Sequence, residues 1–347
     1  MGRLQELYNQ HLKDPKPTDK DGRVLIVDGL NMYIRIWAAV PALNDEGQHV
    51  GGVVGFLKSL GALIRQFNPS RCIVVFDGKG GSLRRKKLYP DYKANRSTKI
   101  QLNRFEDFEG LEDEQKSMKA QFGRLIEYLN DLPLSVFAMD HIEADDAMAY
   151  IVTDYYANSD NQIIIASTDR DFLQLINERV TVWSPVKKKL YDEKLLFKEI
   201  GIPSYNYLTY RTIIGDPSDN IQGVKGIGLK TLLKHFPEIK TQLVDASELI
   251  RLSRERLKEG KNRIATLVIN NADILERNYK LMQLATANIS ADASLKITEH
   301  VSKPYGKVDD YSFKRKFAAD QLYSNIPNVE SWLMSTFNGI NLYGELK

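Results

Sequence analysis

The sequence predicts an α/β protein: a mostly parallel central sheet with helices on both faces, followed by an α-helical C-terminal subdomain. Three observations point there. Short apolar runs rich in β-branched residues alternate with helical stripes between residues 24 and 183, the pattern of βαβ units. An acidic residue follows almost every such run. From about Tyr205 onward, charged and apolar residues mix at helical spacing and no clear strand remains. A chain of 347 residues, 43% hydrophobic, can bury a sizeable core, here as two subdomains with the boundary near residue 204.

The elements follow in order. Residues 1–22 read as a flexible polar leader carrying Pro15, Pro17 and Gly22, with Leu4, Leu7 and Tyr8 on one face of a short helix. Gly2 raises myristoylation, but Glu6 stands where that motif wants Ser or Thr. Val24–Val27 reads as a strand buried on both faces, ending at Asp28-Gly29. Val53–Phe67 carries an apolar stripe at helical spacing and is stopped by Asn68-Pro69-Ser70. Cys72–Phe76 repeats the strand, ending at Asp77-Gly78. A right-handed crossover between the two puts Asp28 and Asp77 on one carboxyl edge, where open α/β sheets bind ligands. Leu125–Leu129 belongs to another helical stripe, Leu134–Ala138 is a third strand, and Ala147–Ile151 continues as helix. Ile163–Ala166 is a fourth strand, running into Ser167-Thr168-Asp169-Arg170-Asp171, and Val180–Trp183 a fifth.

Composition excludes several classes. The single cysteine, Cys72, lies in an apolar run and cannot form an internal disulfide, so it reads as a core residue in a reducing compartment. No run reaches the ~18 apolar residues of a membrane helix, and the N-terminus is not signal-like. A soluble, intracellular protein is expected.

The acidic residues carry the chemistry. Glu143, Asp145 and Asp146 fall within four residues at the head of a helix. Acids suit a first helical turn because the macrodipole favours negative charge there, and alone they would mean no more. Asp28, Asp77, Asp169, Asp171, Asp216 and Asp219 change that reading, since nine carboxylates meeting in one cleft stay ionised together only with bound cations. No histidine lies in these motifs, and oxygen-only ligands favour magnesium or manganese over zinc.

Residues 79–104 hold nine Lys/Arg against one acid, Asp91. A charge run is often a solvated face. This one leaves the sheet directly after Asp77, so Arg84, Arg85, Lys86 and Lys87 would attract phosphate toward the acidic edge, and Tyr92 would stack on bases. Gly223-Val224-Lys225-Gly226-Ile227-Gly228-Leu229-Lys230 is not a Walker loop, because Leu229 separates the last glycine from the lysine. A helix-hairpin-helix over about 220–236 fits better: Gly223, Gly226 and Gly228 admit a nucleic-acid backbone, and Lys230 and the turn's amides hold a phosphate.

These segments, in this order, resemble the 5′-nuclease superfamily of flap endonucleases and polymerase I 5′-nuclease domains. The matching motifs are Val27-Asp28-Gly29, Val75-Phe76-Asp77, Tyr92-Lys93-Ala94-Asn95-Arg96, Glu143–Asp146, Ser167–Asp171, Gly215–Asn220 and Gly223–Lys230. Trp183-Ser184-Pro185, then Lys187-Lys188-Lys189 and a long helical tail, are most similar to the ribonuclease H branch of T-even-like bacteriophages, although that branch has a degenerate hairpin and this chain keeps every glycine. The resemblance implies one divalent site at Asp28, Asp77, Glu143 and Asp145, and another at Asp169, Asp171 and Asp216. Asp146 and Asp219 would act through water. Lys93 and Arg96 would reach the scissile phosphate from a helical arch over about 80–120, within a catalytic domain of residues 23–204. Two magnesium ions, replaceable by manganese, and potassium at the hairpin are implied cofactors. Flapped DNA and RNA–DNA hybrids are implied substrates for a monomer in the cytoplasm of a phage-infected bacterium. A single-stranded-DNA-binding protein and a sliding clamp are implied partners, docking on the leader and on Arg315, Lys316, Trp332 and Phe337.

Three other readings stay open. A PIN-type ribonuclease would lack the hairpin and arch. A haloacid-class phosphatase would need Asp-x-Asp after the first strand, where Leu30 stands. A non-catalytic DNA-binding protein on this fold would have lost carboxylates.

Overall fold

Six strands pair in the order β3-β2-β1-β4-β5-β6, and all but the last are parallel. The structure, a computed structural model, describes residues 22–95, 111–284, 289–304 and 306–344. The strands are β1 (Arg23–Asp28), β2 (Arg71–Asp77), β3 (Ser135–Met139), β4 (Gln162–Ala166), β5 (Val180–Ser184) and β6 (Lys189–Tyr191). The five apolar runs therefore form the parallel strands. The last strand was not legible: its edge position leaves Lys189 and Leu190 exposed, and Lys188 turns the chain at φ 52°.

Side chains alternate across the pleat. Leu25, Val27, Cys72, Val74 and Phe76 face α1 (Gly29–Ala39), α2 (Gly51–Phe67) and α4 (Leu111–Leu129). Val24, Ile26, Ile73 and Val75 face α5 (Ala144–Tyr150), which runs on into a π turn at Ile151–Tyr155. In the chain, α3 (Leu83–Leu88) lies between β2 and α4. The chain winds from β1 outward to β3, then returns to the other side of β1 at β4. That switch opens a crevice at the carboxyl ends of β1 and β4.

After α6 (Glu193–Ile200) comes a separate cluster formed by α7 (Tyr207–Ile214), α8 (Leu229–His235), α9 (Ala246–Glu259), α10 (Arg263–Asn270) and α11 (Ala272–Met282). A two-residue ladder, β7 (Gly215–Asp216) with β8 (Ile221–Gln222), closes the loop between α7 and the glycine turn.

The expected division at residue 205 describes only the first part of the C-terminal half. The last helices, α12 (Ala291–Ser302), α13 (Asp310–Ala319) and α14 (Val329–Gly344), pack back on the sheet domain. Ile297 and Val301 join the face of α5, while Phe313, Phe317, Leu333 and Phe337 join that of α2. Gly61 lets α2 and α14 approach, since a Cβ there would lie 3.0 Å from Trp332. Phe337 is thus core and Trp332 half-buried, and Lys316 is paired with Asp131 at 2.5 Å, which leaves Arg315 as the exposed member of the expected tail surface. The leader anchors Leu4, Leu7 and Tyr8 lie outside the described residues, as does the middle of the arch segment, 96–110, with Arg96. Among the described residues no helix is long and apolar enough to cross a membrane.

Candidate functional site

Asp28, Asp169 and Asp216 are fixed by the local backbone that their own sequence creates, and Asp77 by the head of a later helix. Asp28 caps α1, its Oδ1 accepting from the Asn31 N–H at 3.1 Å. Asp77 reaches from β2 to the head of α5 and accepts from the Ala144 N–H at 2.7 Å. Asp169 caps the 3-10 turn Arg170–Leu175 through the Asp171 N–H, 2.7 Å, and Asp216 caps the turn Pro217–Asp219 through the Ser218 N–H, 2.9 Å. Asp is a preferred cap because its short side chain accepts from N–H groups the helix leaves unpaired. The caps hold carboxylates at rigid positions along one sheet edge.

Ser167 ties the switch point together. Its Oγ donates to Asp28 at 2.9 Å and accepts from the Asp169 N–H at 3.0 Å. Burial, and then the charge of Asp145, pushes Asp28 up to about 7. Burial raises Asp169 far above the carboxylate range, with Asp171 and Asp145 adding to it. Asp77 and Asp146 are raised too, burial first. Asp145 contributes to every one of these shifts, which puts it at the electrostatic centre of the edge.

Protein cations meet the flanks. Arg85 is 2% exposed; it grips Asp146 with paired bonds of 2.9 Å and also donates to Glu143. Lys93 donates to Glu143 and lies 4.8 Å over the Tyr92 ring, and the Tyr92 hydroxyl is 3.4 Å from both Glu143 oxygens. Lys93 sits at φ 58°, its N–H donating to the Asp219 carbonyl at 2.9 Å. Asn95 and Asn220 close the same contact, donating to Pro217 and Asp91 carbonyls at 3.0 and 2.9 Å. The base of the basic segment is thereby docked on the Asp216–Asp219 loop. On the far side Arg211 bridges Asp171 at 2.8 Å and Asp216 at 2.6 Å. Burial raises Asp171 to about 6 even against Arg211. For Asp216, the bonds from Ser218 and Arg211 outweigh burial and lower it.

A model of the 5′–3′ exonuclease N-terminal, resolvase-like domain matches residues 23–201. The flap endonuclease Xni of Shewanella sp. (strain MR-4) is 30% identical over 269 residues, covering 76% of this chain and 90% of that one. This chain belongs to the 5′–3′ exonuclease and flap endonuclease family. DNA polymerase I of Borreliella burgdorferi is 29% identical over 324 residues, 88% of this chain, which spans only 33% of that much longer polymerase. The fold is that of the T5 D15 protein, crystallised with metal ions: TM-score 0.61 at 24% identity, covering 80% of this chain and 98% of that one.

The chain's own cations meet both flanks of the edge but not its centre at Asp28 and Asp169. Among the described residues, no three His, Cys, Asp or Glu side chains are grouped closely enough to hold one ion. The donor chemistry still fits a hard divalent cation: oxygen-only, rigidly capped, and short of positive charge at Asp28 and Asp169. Two residues read as nucleic-acid contacts are placed otherwise. Arg85 and Tyr92 are buried against Glu143, so in this arrangement neither presents its polar end outward. Arg84 is half-buried, 3.5 Å from Asp146, whereas Lys86 and Lys87 are exposed. In the hairpin, Gly226 needs its φ of 89°, Gly228 faces open space, and Lys230 is exposed beside it. Gly223 packs instead against Ile213 and Ile214, where a Cβ would come within 2.2 Å of backbone. In the sequence Ser167 stands only as part of the Ser167–Asp171 motif, with no role of its own, and Arg211 is not singled out. Ser167 sits in the Ser-Thr-Asp run and its cap-like placement before Asp169 was a usable signal; nothing marked Arg211.

Proposed function

We propose that this chain is a divalent-metal-dependent, structure-specific 5′ nuclease that hydrolyses phosphodiesters of flapped DNA and RNA–DNA primers during phage DNA replication. The observation that supports it is the gathering of carboxylates from five separate segments on one sheet edge, at the foot of a basic segment. Family membership supports the reaction class, and the Shewanella relative is a flap endonuclease by name.

Asp28, Asp77, Glu143 and Asp145 would hold one ion, and Asp169, Asp171 and Asp216 the other, with Asp146 and Asp219 acting through water. Two magnesium ions, or manganese in their place, supply an activated water and stabilisation of the leaving oxygen. Glu143 must exchange its Lys93 bond at Oε1 to serve as a ligand, while Oε2 keeps its bond from Arg85. Lys93, once released, carries a positive charge from the base of the arch to the scissile phosphate, with Arg96 beside it. Lys86 and Lys87 draw the backbone in, and Gly226, Gly228 and Lys230 hold the duplex, with potassium at the turn. The same reading makes the enzyme a cytoplasmic monomer, kept near primer junctions by a single-stranded-DNA-binding protein and a sliding clamp.

A labelled 5′ flap, a nicked duplex and an RNA–DNA hybrid, each with and without magnesium, test this. Cleavage of the flap and hybrid from the 5′ side is expected only with metal. Undiminished turnover in chelator would overturn it.

A further inference from the structure

Arg85 is spent on the protein's own interior. Its guanidinium donates from Nη1 and Nη2 to the Asp146 carboxylate, both at 2.9 Å, and from Nη1 to Glu143, while Nε donates to the Leu281 carbonyl at 2.8 Å. Leu281 lies in the last turn of α11. Tyr89, from the same segment as Arg85, stacks under Arg277 of that helix at 4.4 Å, and Tyr92 packs with Leu281 and Met282. One turn earlier in α11, Asn278 is fully buried and donates to the Thr212 and Gln222 carbonyls at 2.9 and 2.8 Å. Those two residues frame the Asp216 loop and lead into Gly223. A continuous chain of bonds therefore runs from the hairpin through α11 to Glu143 and Asp146.

We propose that Arg85 is a positioning residue that aligns Glu143 and Asp146 for the divalent ion and links this alignment to α11. The inference rests on the metal-dependent nuclease reading above. A planar fork held at Nε by a main-chain carbonyl fixes two carboxylates in a set orientation, which a flexible ammonium cannot do. Partners of metal ligands set affinity in this way, typically by ten- to a hundredfold. The opposite role is also well defined. A mere counter-ion beside the ligands repels an incoming cation, so its removal would tighten metal binding. The sign of the effect separates the two.

Calorimetric titration of the metal-free full chain with Mn²⁺, alongside the Mg²⁺ dependence of flap cleavage, makes the test. Wild-type protein that binds no Mn²⁺ refutes the nuclease reading itself, and is distinct from any difference among variants. Arg85→Gln is expected to weaken Mn²⁺ binding about tenfold or more and to raise the Mg²⁺ needed for half-maximal cleavage more than it lowers the rate at saturating Mg²⁺. Arg85→Lys, which keeps the charge and loses the fork, should fall closer to Arg85→Gln than to wild type. Mn²⁺ affinity equal to wild type in Arg85→Lys, or tighter in Arg85→Gln, overturns the proposal. Because Arg85→Gln leaves two buried carboxylates unpaired and can unfold the chain, Asn278→Ala provides a second arm that touches neither. With its circular dichroism intact, it should bind Mn²⁺ about threefold more weakly, the low end of what indirect partners contribute; unchanged affinity overturns the link through α11.

Discussion

The two flanks of the acidic edge are neutralised differently. On the β2–β3 side, Glu143 and Asp146 are met by Arg84, Arg85, Tyr92 and Lys93, all from one segment that leaves β2. On the β4 side, Asp171 and Asp216 share the single Arg211, carried by a helix whose neighbouring Thr212 and Ile213 are fully buried. Whatever draws Lys93 toward a substrate frees one oxygen of Glu143 while Arg85 keeps the other, and the second flank changes only if α7 moves. Between them lie Asp28 and Asp169, joined through Ser167 and held far above the normal carboxylate range. Among the described residues no salt bridge reaches either of them, so an added cation gains most there.

The sharpest way to break this comparison is to remove the charge that Asp28, Asp77, Asp146 and Asp169 all feel. Asp145→Ala should abolish hydrolysis, by on the order of a thousandfold or more, because no neighbour can supply its charge to the ions. DNA binding should stay or tighten as repulsion against phosphate falls. Single-turnover cleavage and anisotropy measure the two separately, and cleavage within tenfold of wild type would deny Asp145 its central place.

The next effect distinguishes cations within the first flank. Lys93→Ala should slow single-turnover cleavage by about a hundredfold, since a positioned cation stabilises charge developing on the phosphate. Lys86→Ala and Lys87→Ala, both on exposed positions, should mainly weaken binding, each lowering the salt slope by about one unit. Equal losses of affinity in all three, with no loss of chemistry, would make Lys93 an ordinary surface lysine.

These contrasts show how far the sequence could be read. The inner strands β1, β2 and β4 were legible because each is an apolar run, rich in β-branched residues, that is buried on both faces, and the carboxylates because each stands where a strand or turn ends or a helix begins. For Asp28 and Asp77, the shared edge followed from the handedness of the crossover. What could not be read was the partner of each acid. Arg85 is one of four consecutive basic residues, and nothing local distinguishes it from the exposed Lys86. The helix buries Arg85 against α11 and α5, leaves Arg84 half-buried beside Asp146, and exposes Lys86 and Lys87. Likewise the return of α13 and α14 to the sheet domain depends on Gly61, which meets Trp332, and on stripes such as Phe313 and Phe317, with Phe313 against the distant Tyr128. A hydrophobic stripe announces that a helix is buried, and not against what.

A smaller effect tests the hairpin. Gly226 holds φ 89°, where a β-branched residue is strained, so Gly226→Val should disturb the turn at a cost of about 1–3 kcal/mol. Binding of duplex-bearing substrates should fall about tenfold, while cutting of purely single-stranded ends changes little. Equal losses on both substrates with an unchanged circular dichroism spectrum would detach the hairpin from duplex binding.

The last prediction concerns the centre itself and is the smallest. Asp28 is raised to about 7 and Asp171 to about 6, both by burial first. Between about pH 4 and 7 the folded, metal-free protein therefore keeps protons that the unfolded chain has released. Stability is greatest toward the acid end of that window and is lost as pH rises through the folded values, the reverse of ordinary acid denaturation. Asp216, whose value is lowered, acts in the opposite sense, but below the window. Urea midpoints of metal-free protein should rise on going from pH 7.5 to 5.5, by roughly 1–3 kcal/mol in stability. Asp28→Asn should flatten that rise more than Asp171→Asn, because Arg211 already offsets part of the charge at Asp171. Saturating Mg²⁺ should invert the slope, since metal binds the deprotonated carboxylates and stabilises the folded state more as pH increases. A metal-free protein that grows more stable from pH 5.5 to 7.5 would mean that its own cations already balance the centre as well as the flanks, and the distinction between them would fail.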